Sequence, residues 1–195
     1  MTGVQTCALP IWICPQGVFL RGTYAHYAKA SSEIFRICRD YTPAVETGSL
    51  DDGYLNMTRT ERHWPSPMTA ATVLRRRVLD ETGLHLSVGI GCNKLLARVA
   101  TKLAKPNGVA RVWPGEELAL LGPMRVEVLP GIGRKTADRL HQAGVNSVND
   151  LRHIPADLVR DRFGINGLDF AEHANTRDGR GVVADSPRCR SISRE

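Results

Sequence analysis

Two periodicities of apolar residues organise the chain, a helical one that dominates and a strand-like one confined to short runs. From Arg21 to Tyr41 the apolar positions Tyr24, Tyr27, Ala28, Ile34, Phe35 and Cys38 keep helical spacing. They predict an amphipathic helix, with Pro43 barring its continuation. The next run, "AVETGSLDDGYLNMT", reads as two strands meeting near Asp51-Asp52-Gly53, a hairpin in which Gly53 is available for positive φ. After a polar, Pro-containing connection, "MTAATVLRRRVLDETG" predicts a second helix, capped by Ser66 or Thr69 and closed by Gly83. "LHLSVGIG" reads as a short buried strand and "VARVW" as the last one. Between them "CNKLLARVATKLAK" is a third helix, basic on one side and apolar on the other, ended by Lys105-Pro106-Asn107-Gly108. This order predicts an α+β layer, an antiparallel sheet with helices on one face.

Beyond Gly122-Pro123 the strand signals cease. "GEELALLGPM", "GRKTADRLHQAG", "SVNDLRHIPADLVRDRFG" and "GLDFAEHANTRDG" are short helical runs separated by glycines, the pattern of a small all-α module. The closing "VVADSPRCRSISRE" is polar and basic, like a linker that leads elsewhere. The opening is of another kind. Residues 2–11, "TGVQTCALPI", have neither period and match the in-frame translation of a common sequencing-adapter oligonucleotide, the alternative being a genuine apolar strand. Residues 1–16 are therefore set aside as a non-native, adapter-derived segment, and the chain is expected to be cut at both ends.

With 195 residues there is room for one medium domain or two small ones. No apolar run approaches the roughly 20 residues that span a bilayer, and the first residues lack the Lys/Arg-rich start and small-residue cleavage site expected of a secretory signal. The five cysteines (Cys7, Cys14, Cys38, Cys92, Cys189) form no C-x-x-C pair. That scatter argues against structural zinc, an iron–sulfur cluster or a disulfide framework, and for a reducing, cytoplasmic compartment. His63, His85, His141, His153 and His173 have no metal-ligand spacing either. A net charge of +6 and a pI near 9.3 are compatible with a polyanionic partner.

The most specific local motif is "LPGIGRKTADRL", Leu129–Leu140. Gly131 and Gly133 bracket Ile132, so the backbone can turn sharply and approach another molecule without a Cβ clash, while Ile132 plugs the gap between flanking helices. The helix opening at Arg134 or Lys135 points unpaired N–H groups outward and adds two positive charges. This resembles the helix-hairpin-helix element, which grips nucleic-acid phosphates without reading bases. Its DNA-contact stretch would be Gly131, Ile132, Gly133, Arg134, Lys135 and Thr136. "AGVNSVNDL" echoes the motif weakly, as a packing partner. The Gly-x-Gly of "SVGIGCNK" lacks the spacing of a nucleotide loop.

Asp51 and Asp52 pose the remaining question, because adjacent acids repel. They suit a solvent-exposed turn or a cradle for a divalent cation. Taken in order, "ETGSLDDGYLNMT", "LDETGLHLSVGIGCNKLLARVATKLAKPNGV", "PGEELALLGPMRVEVLPGIGRKTADRLHQAGVNSVNDL" and the terminal "SIS" resemble the Y-family (translesion) DNA polymerases, nearest their DNA polymerase IV branch, over about residues 17–195. The resemblance implies a partial palm over 17–115, a helix-hairpin-helix thumb over 116–183, and over 184–195 the start of a linker to a little-finger domain that is missing. The family's Ser-x-Asp-Glu motif falls on Ser49, Asp51 and Asp52, with Asp52 one methylene shorter than the usual Glu. Asp51 and Asp52 would be catalytic and would bind Mg2+, two ions serving the intact family. Lys105 would contact the incoming deoxynucleoside triphosphate, and Lys94 is expected to be structural or to contact backbone. Primer–template DNA is the implied partner, with no membrane, and a sliding clamp would touch the parent beyond Glu195.

The family's early Asp-x-Asp-x-Phe-Phe stretch is absent from these residues, so the cradle has half its ligands and the polypeptide is expected to bind DNA weakly without polymerising. Two rivals stand beside this reading. A helix-hairpin-helix DNA glycosylase would use Lys135 as a Schiff-base nucleophile, yet the only Asp downstream in "VNSVNDLRHI" is Asp150, in the wrong setting, and the four-cysteine cluster is missing. A non-catalytic DNA-binding protein is the other. A Ser/His/Asp hydrolase fails for want of G-x-S-x-G.

Overall fold

A computed structural model describes residues 14–18 and 22–184. The adapter-like residues 2–11 and most of the basic tail, 185–195, lie outside the described residues. Helix α1, Tyr24–Arg39, leads into a hairpin of β1, Val45–Thr47, and β2, Gly53–Leu55. The hairpin is antiparallel, with Val45 opposite Leu55, Glu46 opposite Tyr54 and Thr47 opposite Gly53. Only the C-terminal half of α1 is covered: Phe35, Ile37 and Cys38 pack with Val45, Leu74 and Val78. Tyr24 and Tyr27, expected on the same apolar stripe, remain 72% and 58% exposed.

Helix α2, Pro67–Thr82, begins as the sequence suggests. Ser66 Oγ accepts the Thr69 N–H at 3.0 Å, and Gly83 closes the helix at φ +72°. Arg77 joins α2 to the end of α1, reaching Asp40 at 2.7 Å and Glu81 at 2.6 Å. Gly53 departs from expectation. It lies within β2, and a Cβ there would stand 2.5 Å from Phe35 and 2.7 Å from the Glu46 carbonyl oxygen. The position demands glycine for close approach rather than for a left-handed turn.

Strand β3, Val88–Ile90, helix α3, Lys94–Ala104, and strand β4, Val109–Arg111, form a βαβ unit in which the strands run parallel. This corrects the expectation of one antiparallel sheet. Because α3 intervenes as the crossover, β4 re-enters in the direction of β3, which is how parallel neighbours are joined. Among the described residues the strands therefore make two separate two-stranded sheets, still within the α+β class. Gly89 has a clear purpose here: a Cβ would sit 2.1 Å from the Ala97 carbonyl oxygen, so α3 can lie against β3 only because the strand is bare at that point.

The rest is helical: α4, Glu117–Leu121; α5, Arg134–Gln142; α6, Val148–Arg152; α7, Ala156–Phe163; and α8, Ile165–Ala174. Their core, built on Leu121, Val126, Leu129, Ile132, Leu140, Val148, Leu151 and Phe170, also takes in Leu95 and Val99 of α3. The neighbouring α3 residues Leu96 and Ala100 pack instead with Val112. Thus α3 serves both halves of the molecule. Burying all of these apolar side chains on one short helix fixes the helical module against the βαβ unit.

Candidate active site and nucleic-acid interface

The two acids of "SLDDG" sit in the β1–β2 turn, where the repulsion anticipated for neighbours in a strand is relieved by water. The Asp52 carbonyl accepts the N–H groups of Gly48 and Ser49 at 2.9 and 3.0 Å, which closes the turn and leaves both side chains exposed. Ser49 Oγ donates to Asp51 Oδ1 at 2.6 Å. That hydroxyl, then the backbone N–H and the positive charge of Lys105, hold the Asp51 carboxyl below its ordinary range. Asp52 Oδ2 lies 4.0 Å from Arg98 Nη1. The turn thus sets Asp52 beside Arg98 of α3 and Asp51 within the electrostatic reach of Lys105, just past the end of that helix. The sequence motifs associate Asp51, Asp52 and Lys105, and the fold brings them near one another. They do not announce Arg98, whose only signal is membership of the basic side of α3.

Two other residues escape sequence reasoning. Arg75 of α2 fastens the Lys105–Gly108 turn, its guanidinium donating to Asn107 Oδ1 at 2.6 Å and to the Leu86 carbonyl at 2.8 Å. Glu46 of β1 accepts from Lys94 Nζ at 2.6 Å. Lys94 is therefore buried and ion-paired, more than a backbone contact. Burial, the largest single influence, would raise the Glu46 carboxyl, but the bonds from Lys94 and the Val183 N–H together with the charges of Lys94 and Arg180 outweigh it and lower it.

The second site is the turn into α5. Gly131 is left-handed, at φ +86°, and Ile132 is 5% exposed within the helical core. Gly133 differs from expectation: at φ −86° and ψ 177° it is ordinary extended backbone, with nothing within 4 Å of a Cβ. The surface at this residue is open, and the turn itself does not require glycine here. No side chain caps α5, and its first intrahelical bond is Ala137 N–H to the Gly133 carbonyl, at 2.9 Å. The preceding N–H groups face outward beside Arg134 and Lys135, both exposed, with Thr136 half-buried. This is an uncapped helix start with two exposed cations at its rim, a geometry suited to an anion.

Asp150, the one acid a Schiff-base mechanism could have borrowed, is a cap. Its Oδ2 accepts the N–H groups of Ser147 and Asn146 at 2.8 and 3.0 Å, and these bonds hold its carboxyl low. With Ser147 it makes a reciprocal capping box on α6.

Residues 8–102 match the impB/mucB/samB family, and residues 127–166 match the DNA polymerase-iota thumb domain. The DNA polymerase IV of Dehalococcoides mccartyi is 36% identical over 183 residues, 94% of this chain and 47% of that protein. The chain belongs to the Y-family of DNA polymerases. DNA polymerase IV of Treponema denticola is 34% identical over 94% of this chain and 46% of its own length, so this Y-family chain spans about half the length of the curated relatives it matches. The first of the two family matches begins at residue 8, within the stretch that reads as adapter-derived.

The fold agrees. DinB from Sulfolobus solfataricus superposes with a TM-score of 0.82 at 22% identity, over 88% of this chain and 51% of that one. The insertion ternary complex of Dbh DNA polymerase gives 0.81 at 22% identity, over 88% and 51%. The β1–β2 turn and the α5 turn are accordingly elements of a Y-family palm and a helix-hairpin-helix thumb. Among the described residues no three His, Cys, Asp or Glu side chains gather as a metal group, and no helix is long and apolar enough to cross a membrane.

Proposed function

We propose that this chain is part of a DNA-directed DNA polymerase of the translesion type, acting on primer–template DNA and deoxynucleoside triphosphates. The observation that carries the reading is the convergence of Asp51 and Asp52 with Lys105 and Arg98 at one turn. Exposed carboxylates beside cations suit a substrate that arrives with a divalent ion and a polyphosphate. Asp51 and Asp52 offer hard oxygen donors of the sort Mg2+ takes, and would hold such an ion on this wall of the site. The ion, when bound, neutralises negative charge around the reacting phosphate. Lys105 would bind a phosphate oxygen as a point charge, and Ser49 fixes the orientation of Asp51 through its 2.6 Å bond. The α5 turn would hold the duplex by its backbone, independently of sequence.

The carboxylates that would complete the opposite wall are not among the 195 residues, since no Asp-x-Asp-x-Phe-Phe occurs. The polypeptide by itself is therefore proposed to bind DNA without extending a primer. Magnesium-dependent primer extension by purified residues 17–195 tests this: no incorporation is expected, and measurable incorporation abolished by Asp51→Ala would overturn the inactivity while upholding the site. A borohydride-trapped adduct at Lys135 would favour the glycosylase instead.

A further inference from the structure

Past α8 the chain crosses from the helical module to the other half, and the bonds that fix it end at the start of α3 and on β1. The Thr176 carbonyl accepts from Asn93 Nδ2 at 2.9 Å, Asp178 Oδ2 accepts the Leu95 N–H at 2.9 Å, and the Val183 N–H donates to Glu46 Oε2 at 2.6 Å. The Asp178 side chain is 1% exposed, and Arg180 closes over it with Nε 2.7 Å from Oδ1 and Nη2 2.8 Å from Oδ2. The oxygen of Glu46 that holds Val183 also takes Lys94 Nζ, at 2.6 Å. Lys94 is 8% exposed, and its ammonium lies 5.1 Å from the ring centroid of Tyr54, the cross-strand partner of Glu46.

These contacts constrain one another. Moving Glu46 off Lys94 would strand a buried cation, which is far costlier than losing an exposed pair. Glu46 is thus fixed by Lys94 while it anchors Val183, and Tyr54 holds Lys94 from the second strand. A displacement of residues 176–183 reaches β1 through Val183 and reaches α3 through Leu95. Both strands of the hairpin that ends in Asp51 and Asp52 touch this one ammonium group.

We infer that Lys94 and Glu46 are positioning residues that clasp the strap 176–183 to the β1–β2 hairpin, so that the strap's far end at Val183 and the two carboxylates move as a unit. The significance of the clasp rests on the proposed role of Asp51 and Asp52. The coupling itself is mechanical and is read without any polymerase activity, so failure of one leaves the other standing.

Native-state amide exchange on the 195-residue chain, followed by NMR, tests it. Asp178→Asn unpins the strap. The Val183 N–H and the hairpin amides of Gly48 and Asn56 should then exchange about tenfold faster or more, while Leu74 and Val78 in α2 stay within about twofold. Lys94→Met should reproduce the pattern and Lys94→Arg, which keeps a cation for Glu46 and the Tyr54 ring, should restore protection. Where Lys94→Met does not fold, Glu46→Gln cancels the pair while keeping an acceptor for Val183, and should still release the hairpin. Faster strap exchange with an unchanged hairpin overturns the clasp, as does uniform acceleration that includes α2. Equal effects of Lys94→Met and Lys94→Arg would mark simple packing and overturn it too.

Discussion

Gly131 and Gly133 stand two residues apart and answer to different physics. Gly131 is left-handed, and a Cβ would stand 3.1 Å from Phe170, so Gly131→Ala adds backbone strain and crowds the core. A loss of about 1–2 kcal/mol is expected in chemical denaturation. Gly133 is extended and open, so Gly133→Ala should leave stability within about 0.5 kcal/mol. The same methyl projects from the surface that would receive a phosphate, so it should weaken DNA binding at fixed salt. The paired measurement separates the roles: if Gly133→Ala unfolds the protein as readily as Gly131→Ala, the division is wrong. Spacing alone announces both glycines but cannot assign them, because positive φ and open space leave the same letter in a sequence. Asp51 and Asp52 are legible for a better reason, since adjacent acids followed by glycine fit few environments other than a turn.

At the scale of elements, α3 and the strap make the molecule cohere. The Asp178 carboxyl is driven down to about 2 from 3.8, chiefly by its hydrogen bond from Arg180. A carboxyl depressed on folding contributes stability that is present above its unfolded value and is lost as pH falls through the folded one. The window here runs from about pH 4 to about pH 2, and the contribution is about 2 kcal/mol by proton linkage. The stability gap between the wild type and Asp178→Asn, measured by denaturant titration, should hold near neutral pH and close across that window. A gap that persists undiminished at pH 2 would assign the effect to packing. None of this is visible in the sequence. "NTRDG" reads as the end of a helical run and "VVAD" as the start of a linker, whereas the helix ends at Ala174 and Thr176, Asp178 and Val183 find partners 83 to 137 positions away. The helices are legible from their own periods, and α2 also from its caps, Ser66 and Gly83. Pairing direction is less so: β3 and β4 are three residues each, and only the crossover through α3 makes them parallel. Gly89 belongs to a Gly-x-Gly without nucleotide-loop spacing, yet it is what lets α3 touch β3.

For the molecule as a whole, the shared core at Leu95 and Val99 joins the palm-like half to the thumb, so the exposed α5 start is held in fixed relation to the β1–β2 turn. A duplex gripped at one would be presented to the other. The proposed grip would be electrostatic, through the uncapped N–H groups and the exposed Arg134 and Lys135, and its signature would therefore be ionic strength rather than sequence. Each phosphate neutralised releases counterions, contributing about −0.9 to the slope of log affinity against log salt. Arg134→Ala with Lys135→Ala should flatten that slope by about 2 and lower affinity by the same factor on every duplex sequence tested. Both side chains reach into solvent at the first turn of α5, away from the buried core, so thermal stability should change little. An unchanged slope would move the DNA contact elsewhere, to other basic residues behind the +6 charge. Sequence-dependent losses would point to base readout, which a backbone grip through an uncapped helix start does not supply.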